Sequence, residues 1–326
     1  MPDSIDAPVS LPAFTDVLAA AARIAPHAAV TPVLRSRALD EACGARLYFK
    51  AEHLQRTGAF KFRGACNAVW SLDETAAARG VITHSSGNHG AALALAAKTR
   101  NIACHVVVPD NTNAAKTANI ERYGARLHRC APGIAAREAM CAQLQAETGA
   151  VLVHPYADVQ VIAGQGTAAL ELLDQAGALD ALIVPISGGG LSAGCAIAAH
   201  ALAPDCEILV AEPETADDAA RSLASGVRVT PEAAPDTICD GLRGVLGEPN
   251  FALLRAHRAQ PIVVSDADTL AAMRLLWRVL KQTVEPSSAI ALAALLKRRD
   301  SFAGKRVGLI LSGGNVDLDA LPWAVA

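Results

Sequence analysis

Aromatic side chains are scarce, at 4% of 326 residues, and positive charge is not in excess. The 29 lysines and arginines against 32 aspartates and glutamates leave a formal net charge of −3. Without ring platforms or a basic footprint, nucleic acid and anionic membrane surfaces are excluded as expected partners. No run approaches the roughly 20 apolar residues needed to cross a bilayer. Residues 1–8 carry two aspartates but no cationic head ahead of an apolar stretch, so no secretory leader is read there. The eight cysteines (Cys43, Cys66, Cys104, Cys130, Cys141, Cys195, Cys206, Cys239) form no Cys-x-x-Cys pair and have no histidine at zinc spacing. Buried reduced thiols and a cytoplasmic enzyme are therefore expected. Internal repeats, low-complexity tracts and long linkers are also missing.

What is present is alanine, valine and leucine, within a hydrophobic content of 52%. The length exceeds the usual single-core range of about 100 to 200 residues, which predicts two domains or two lobes. Short β-branched runs bounded by glycine or proline alternate with alanine-rich stretches, the pattern of strands joined by crossover helices. Strands are expected at 81–84, 103–108, 125–128, 151–154, 181–185, 207–211, 261–264 and 306–311. Helices are expected at 90–98, 135–147, 166–175, 192–201, 268–281 and 288–297. The near-continuous hydrophobicity of the strands predicts an α/β fold with a mostly parallel sheet covered on both faces. A smaller lobe is placed at 72–152, with 1–71 and 153–326 forming a larger, discontinuous domain. In such sheets ligands sit beyond the carboxyl ends of strands, where each glycine-rich motif falls.

The first motif is the lysine in Thr57 Gly58 Ala59 Phe60 Lys61 Phe62 Arg63 Gly64 Ala65. Phenylalanines on both sides disfavour a solvated ammonium and suit an imine-forming amine, and the glycines allow close approach of a cofactor. The second is Ser85 Ser86 Gly87 Asn88 His89 Gly90, where hydroxyls, an amide and a helix start could hold a carboxylate and a phenolic oxygen. The third, Ser187 Gly188 Gly189 Gly190 Leu191, leads from a strand into a helix, so its amides converge on an anion at the helix's positive end. It lacks the dinucleotide fingerprint and the Walker lysine, which favours the phosphate of a compact cofactor over a dinucleotide or ATP. A ligand-free glycine turn is the alternative. The fourth, Leu311 Ser312 Gly313 Gly314 Asn315, offers a hydroxyl to a heteroaromatic nitrogen, or else a helix cap.

In this order the four motifs resemble the fold type II pyridoxal-phosphate enzymes, and within them the serine racemase and serine/threonine dehydratase family. The resemblance runs from about Thr31 to Asp317. No appended regulatory domain follows Asp317, so the short catabolic dehydratase or racemase type is expected. The resemblance implies two lobes, each with a mostly parallel twisted sheet, and a homodimer. It implies pyridoxal 5'-phosphate as cofactor, with Lys61 as its imine lysine and the base that moves the α proton. Ser187, Gly188, Gly189, Gly190 and Leu191 would hold the phosphate, Asn88 the phenolic oxygen, and Ser312 the ring nitrogen. A neutral hydroxyl there makes the ring a weaker electron sink than an aspartate would. Substrate would be gripped by Ser85, Ser86, Gly87, Asn88 and His89, with Arg137 and Asp240 near the mouth and Glu285 near the ring.

Ser86 matches the family's second catalytic hydroxyl, and two bases on opposite faces permit racemisation as well as elimination. Glu212, Ala216 and Asp218 match an all-oxygen site for magnesium, calcium or manganese. Tyr156 stands where mammalian-type racemases carry asparagine and dehydratases commonly carry an aromatic residue. The nucleotide effector positions of the animal racemases are matched only in part, by Ser36, Arg56, Thr57 and Tyr123, with Ala91 in place of a glutamine, so activation by ATP is not implied. The expected reaction is dehydration of L-serine or L-threonine to a 2-oxo acid and ammonia. The alternatives are serine racemisation and dehydration of 3-hydroxyaspartate, the latter using Arg137 for the second carboxylate.

Overall fold

A computed structural model describes residues 10–112, 114–317, 321 and 323; the 1–8 segment read above lies outside them. Among the described residues two sheets form. The first orders β1 (Val33–Leu34), β2 (Arg46–Lys50), β10 (Arg306–Ile310), β7 (Ala181–Pro185), β8 (Glu207–Pro213) and β9 (Gln260–Val264). The second orders β5 (Arg126–Cys130), β4 (Cys104–Pro109), β3 (Val81–Thr83) and β6 (Val151–Leu152). Every pairing is parallel except β1 with β2.

Successive side chains of a strand face opposite sides of its sheet, and the core divides accordingly. Ile183 and Leu209 pack on one face of the larger sheet with the helix Pro286–Lys297. Leu182, Val184, Ile208 and Val210 pack on the other with the helix Gly190–Leu202. Burial of both faces explains why β7 is apolar throughout, as expected for a parallel strand covered twice. Edge strand β5, reading Arg-Leu-His-Arg-Cys, is only partly buried, and its charges suit an exposed edge. All eight cysteines are free and buried. No helix among the described residues is long and apolar enough to cross a membrane.

Two sequence expectations are corrected and one pair of strands was missed. Strands β1 and β2 were not anticipated. The helix expected across 268–281 is α-helical only over Asp266–Leu275 and continues as a π-helix over Leu276–Leu280. Gly64 serves helix packing and not cofactor approach: a Cβ there would lie 2.4 Å from the Gln165 side chain and 2.7 Å from the Val161 carbonyl.

The helix Lys61–Ser71 ties the two sheets together. Phe62, Ala65, Cys66 and Val69 enter the core of the smaller sheet beside Val81 and Leu93. Arg63, fully buried, points the other way. Its guanidinium forms fork contacts with Glu52 at 2.6 and 2.8 Å and with Glu171 at 2.7 and 2.8 Å. Lys50 of β2 completes the cluster, bonding Glu171 at 2.7 Å and the Thr31 carbonyl at 2.7 Å. Two cations thus face two carboxylates, with Lys50, Arg63 and Glu52 fully buried and Glu171 at 23% exposure. Breaking such a set by removing one member costs about 3–5 kcal/mol, because the partner charge is left buried.

Candidate active site

Lys61 is the first residue of its helix, and its Nζ donates to the Pro155 carbonyl at 2.8 Å. The Phe60 ring centroid is 5.0 Å from the nitrogen, and Phe62 is fully buried behind it. Burial pushes the amine down to about 8, against an opposing pull from the Glu285 carboxylate. The half-buried side chain opens into a cleft of about 790 Å³. Every expected catalytic, cofactor and substrate residue lines that cleft: Lys61, Ser85, Ser86, Gly87, Asn88, His89, Arg137, Ser187, Gly188, Gly189, Gly190, Leu191, Asp240 and Ser312. Glu212, Ala216 and Asp218 do not.

Strand order explains the convergence. The 85–90, 187–191 and 311–315 motifs follow the carboxyl ends of β3, β7 and β10, and the helices Asn88–Arg100 and Gly190–Leu202 begin in the first two. The opening amides of a helix have no partner within it, so both turns present donors and positive dipole ends. The 187–191 turn is braced from behind. Ser187 Oγ donates to the Gly244 carbonyl at 3.1 Å and accepts from the Gly244 amide at 2.9 Å. Asn250 Nδ2 and the Gly247 amide both donate to the Gly188 carbonyl, at 2.5 and 3.0 Å. A Cβ on Gly188 would sit 2.3 Å from the Tyr156 ring, so only glycine lets the ring and the turn meet.

Ser312 is buried yet lines the cleft, and its hydroxyl makes no hydrogen bond among the described residues. Asn88 bonds Glu285 and Asn315. His89 is buried, with Nε2 3.2 Å from the Val153 carbonyl and Nδ1 unpartnered; burial holds it well below the usual imidazole range. His154 is pushed down to about 4 by burial and by the nearby His84 and Lys61. The imidazoles beside Lys61 are therefore neutral at pH 7 and do not repel a second cation. His84 and Tyr156 line the cleft on either side of His154, at ring distances of 5.3 and 4.5 Å. Arg137, at the mouth, donates Nε to the Gly133 carbonyl at 3.3 Å and pairs with no carboxylate among the described residues. Asp240 is exposed at the same mouth.

Sequence reading singled out no role for His84, Asn250 or Asn315. The polarity of Asn315, three residues after Ser312, was a signal available at that stage; Asn250 acts only through the fold.

A desolvated amine, a glycine cradle at a helix start, an unpartnered serine hydroxyl and an anion-ready serine turn fit pyridoxal phosphate. Together with two mostly parallel sheets they define a fold type II pyridoxal-phosphate enzyme. The family model described as pyridoxal-phosphate dependent enzyme matches residues 24–313, and the chain belongs to that family. It is 48% identical over 313 residues to beta-hydroxyaspartate dehydratase of Paracoccus denitrificans, covering 96% of this chain and 99% of the relative. It is 44% identical over 317 residues to serine racemase of Dictyostelium discoideum, covering 96% and 98%. The solved structure of maize serine racemase superposes with a TM-score of 0.93 at 45% identity, covering 96% of each chain. The protein is thus a pyridoxal-phosphate-dependent enzyme of the racemase and ammonia-lyase group.

One pH dependence follows from the amine. Folding lowers its proton affinity, so the unfolded chain binds more protons between pH 8 and the ordinary 10.5, and this group's contribution to stability rises with pH across that window. In cofactor-stripped protein, the rate of imine formation with added pyridoxal phosphate is expected to rise with a midpoint near pH 8. A midpoint near 10.5 contradicts the burial argument.

Proposed function

We propose that the protein is an ammonia-lyase that dehydrates β-hydroxy amino acids, L-serine, L-threonine and 3-hydroxyaspartate, with the diacid favoured. The observation that carries this reading is one cleft bringing together the Lys61 amine, the 85–89 turn and the Arg137 guanidinium. The cofactor, when bound, supplies an electron-withdrawing ring conjugated to the substrate's amino nitrogen. The 187–191 turn would hold its phosphate, Asn88 its phenolic oxygen and Ser312 its ring nitrogen. Lys61 Nζ takes the α proton. Amides and hydroxyls of the 85–89 turn grip the α-carboxylate. The β-hydroxyl leaves as water by taking the proton carried by Lys61 Nζ, and the enamine tautomerises to an imine whose hydrolysis releases ammonia and the 2-oxo acid.

Arg137 is the group that selects the diacid, since a guanidinium lacking a carboxylate partner is matched by a second substrate carboxylate. The name of the Paracoccus relative supports the same substrate. Serine racemisation is the second reading. It is favoured by the Ser86 hydroxyl, which lines the cleft and makes no hydrogen bond among the described residues, leaving it available as a second proton carrier.

Glu212, Ala216 and Asp218 belong to the proposal as a divalent-cation site for magnesium, calcium or manganese. Both carboxylates are buried, Glu212 at 1% exposure. Burial pushes Glu212 up to about 8 despite bonds from the Ala219 and Ala220 amides, and the neighbouring Asp218 raises it further. No cationic side chain bonds either carboxylate among the described residues. An all-oxygen set of this kind suits a hard cation, although no group of three or more His, Cys, Asp or Glu side chains placed to hold a metal occurs among the described residues. A cytoplasmic homodimer completes the reading.

Comparison of kcat/KM for L-serine, L-threonine and 3-hydroxyaspartate is expected to rank the diacid first. Arg137→Ala should lower its value about 10- to 100-fold, the weight of one charge-assisted contact, with little change for serine. An equal loss on both substrates removes the diacid assignment. Ser86→Ala should abolish D-serine formation while lowering elimination from L-serine far less; D-serine formation that survives the substitution in proportion to elimination removes the racemase reading. Chelation should lower the melting temperature of a protein that sediments as a dimer, with magnesium restoring it. An unchanged melting temperature removes the cation, and a monomer removes the dimer.

A further inference from the structure

The carboxylate of Glu285 is buried, although the residue stands at the N-cap of the helix Pro286–Lys297. Short acidic and polar side chains at that position ordinarily fold back onto the first helical amides. Glu285 makes no such capping bond. Its carboxylate turns instead to Asn88, whose Nδ2 donates to the two oxygens at 3.1 and 3.2 Å. Asn88 Oδ1 accepts from Asn315 Nδ2 at 2.8 Å. That nitrogen commits its other hydrogen to the Thr57 carbonyl, also at 2.8 Å. The backbone closes against the carboxylate from behind, since a Cβ on Gly313 would lie 2.7 Å from Glu285 Oε1.

The two ends of this chain dictate its direction. A carboxylate and a backbone carbonyl only accept, so Asn315 must present its amino group to Thr57 and Asn88, and Asn88 must present its amino group to Glu285. A side-chain amide without such partners has two orientations of nearly equal shape. Here one is selected, and the near-equal distances to the two carboxylate oxygens are those of one shared hydrogen, which leaves the second Asn88 N–H for the cleft that Lys61 and Ser312 also line.

We propose that Glu285, backed by Asn315, is a positioning residue that keeps the Asn88 amide with its N–H toward the phenolic oxygen of the cofactor. The inference rests on the cofactor reading of this cleft. With the amide reversed, its carbonyl oxygen would face both the carboxylate and the phenolate. The arrangement therefore fixes a donor, and not an acceptor, at a cofactor oxygen whose protonation changes its colour.

The absorption spectrum of the purified holoenzyme tests this, because hydrogen bonding to the phenolic oxygen governs the ratio of the cofactor's two tautomeric bands. Glu285→Gln keeps the volume but can donate as well as accept. At a pH where the ratio is level, the substitution is expected to change it about five-fold, the equilibrium weight of one hydrogen bond. Asn315→Ala should shift the ratio in the same direction, and in an Asn88→Ala background neither substitution should move it further. An unchanged ratio in Glu285→Gln with cofactor bound, or an equal change in the Asn88→Ala background, overturns the proposal. A colourless wild-type protein that takes up no cofactor overturns the cofactor reading first and this inference with it.

Discussion

The burial of one amine at the start of one helix is the constraint on which the rest of the structure depends. Lys61 sits where the helix dipole is positive and where protein atoms have replaced water, and both conditions disfavour an ammonium. A helix end of this kind would drift unless held. Arg63, two residues along, is clamped between Glu52 and Glu171, while Phe62 on the opposite side enters the core of the smaller sheet. The amine is therefore aimed by a buried ionic cluster on one side and by apolar packing on the other. Neither touches the cleft.

The cleft around the amine is assembled from strand ends. Three turns that follow β3, β7 and β10 bring two helix starts with free amide donors and a lone hydroxyl to one place, although successive motifs begin more than a hundred residues apart in the chain. Close approach is purchased with glycine where Gly188 meets the Tyr156 ring. Polarity is then fixed by accept-only groups at the periphery, the Glu285 carboxylate and the Thr57 carbonyl, which leave the intervening amides one orientation each. Neutral histidines fill the remaining polar space without adding charge.

Much of this was legible in the sequence because the signals are local. Continuous apolar runs such as 181–185 announce strands buried on both faces, and glycine with serine after three of the runs announces a cleft-facing turn. The chain at 46–50 was not legible. It begins with arginine and ends with lysine, and Lys50 is buried only because Glu171, 121 residues away, neutralises it. Gly64 was misread for the same reason, since its requirement comes from Gln165 and Val161 across a helix crossing. The π-helical turn at Leu276–Leu280 has no flanking proline or glycine to announce it. Asn88 was read as a cofactor contact from its motif, but the groups that orient it lie 197 and 227 residues further along.

Borohydride reduction of the native holoenzyme, followed by peptide mapping in a mass spectrometer, tests the central claim most directly. The account requires the reduced cofactor's added mass on the peptide carrying Lys61 and on no other. Label on a different lysine, or a Lys61 peptide that stays unmodified while the protein is yellow, would contradict it.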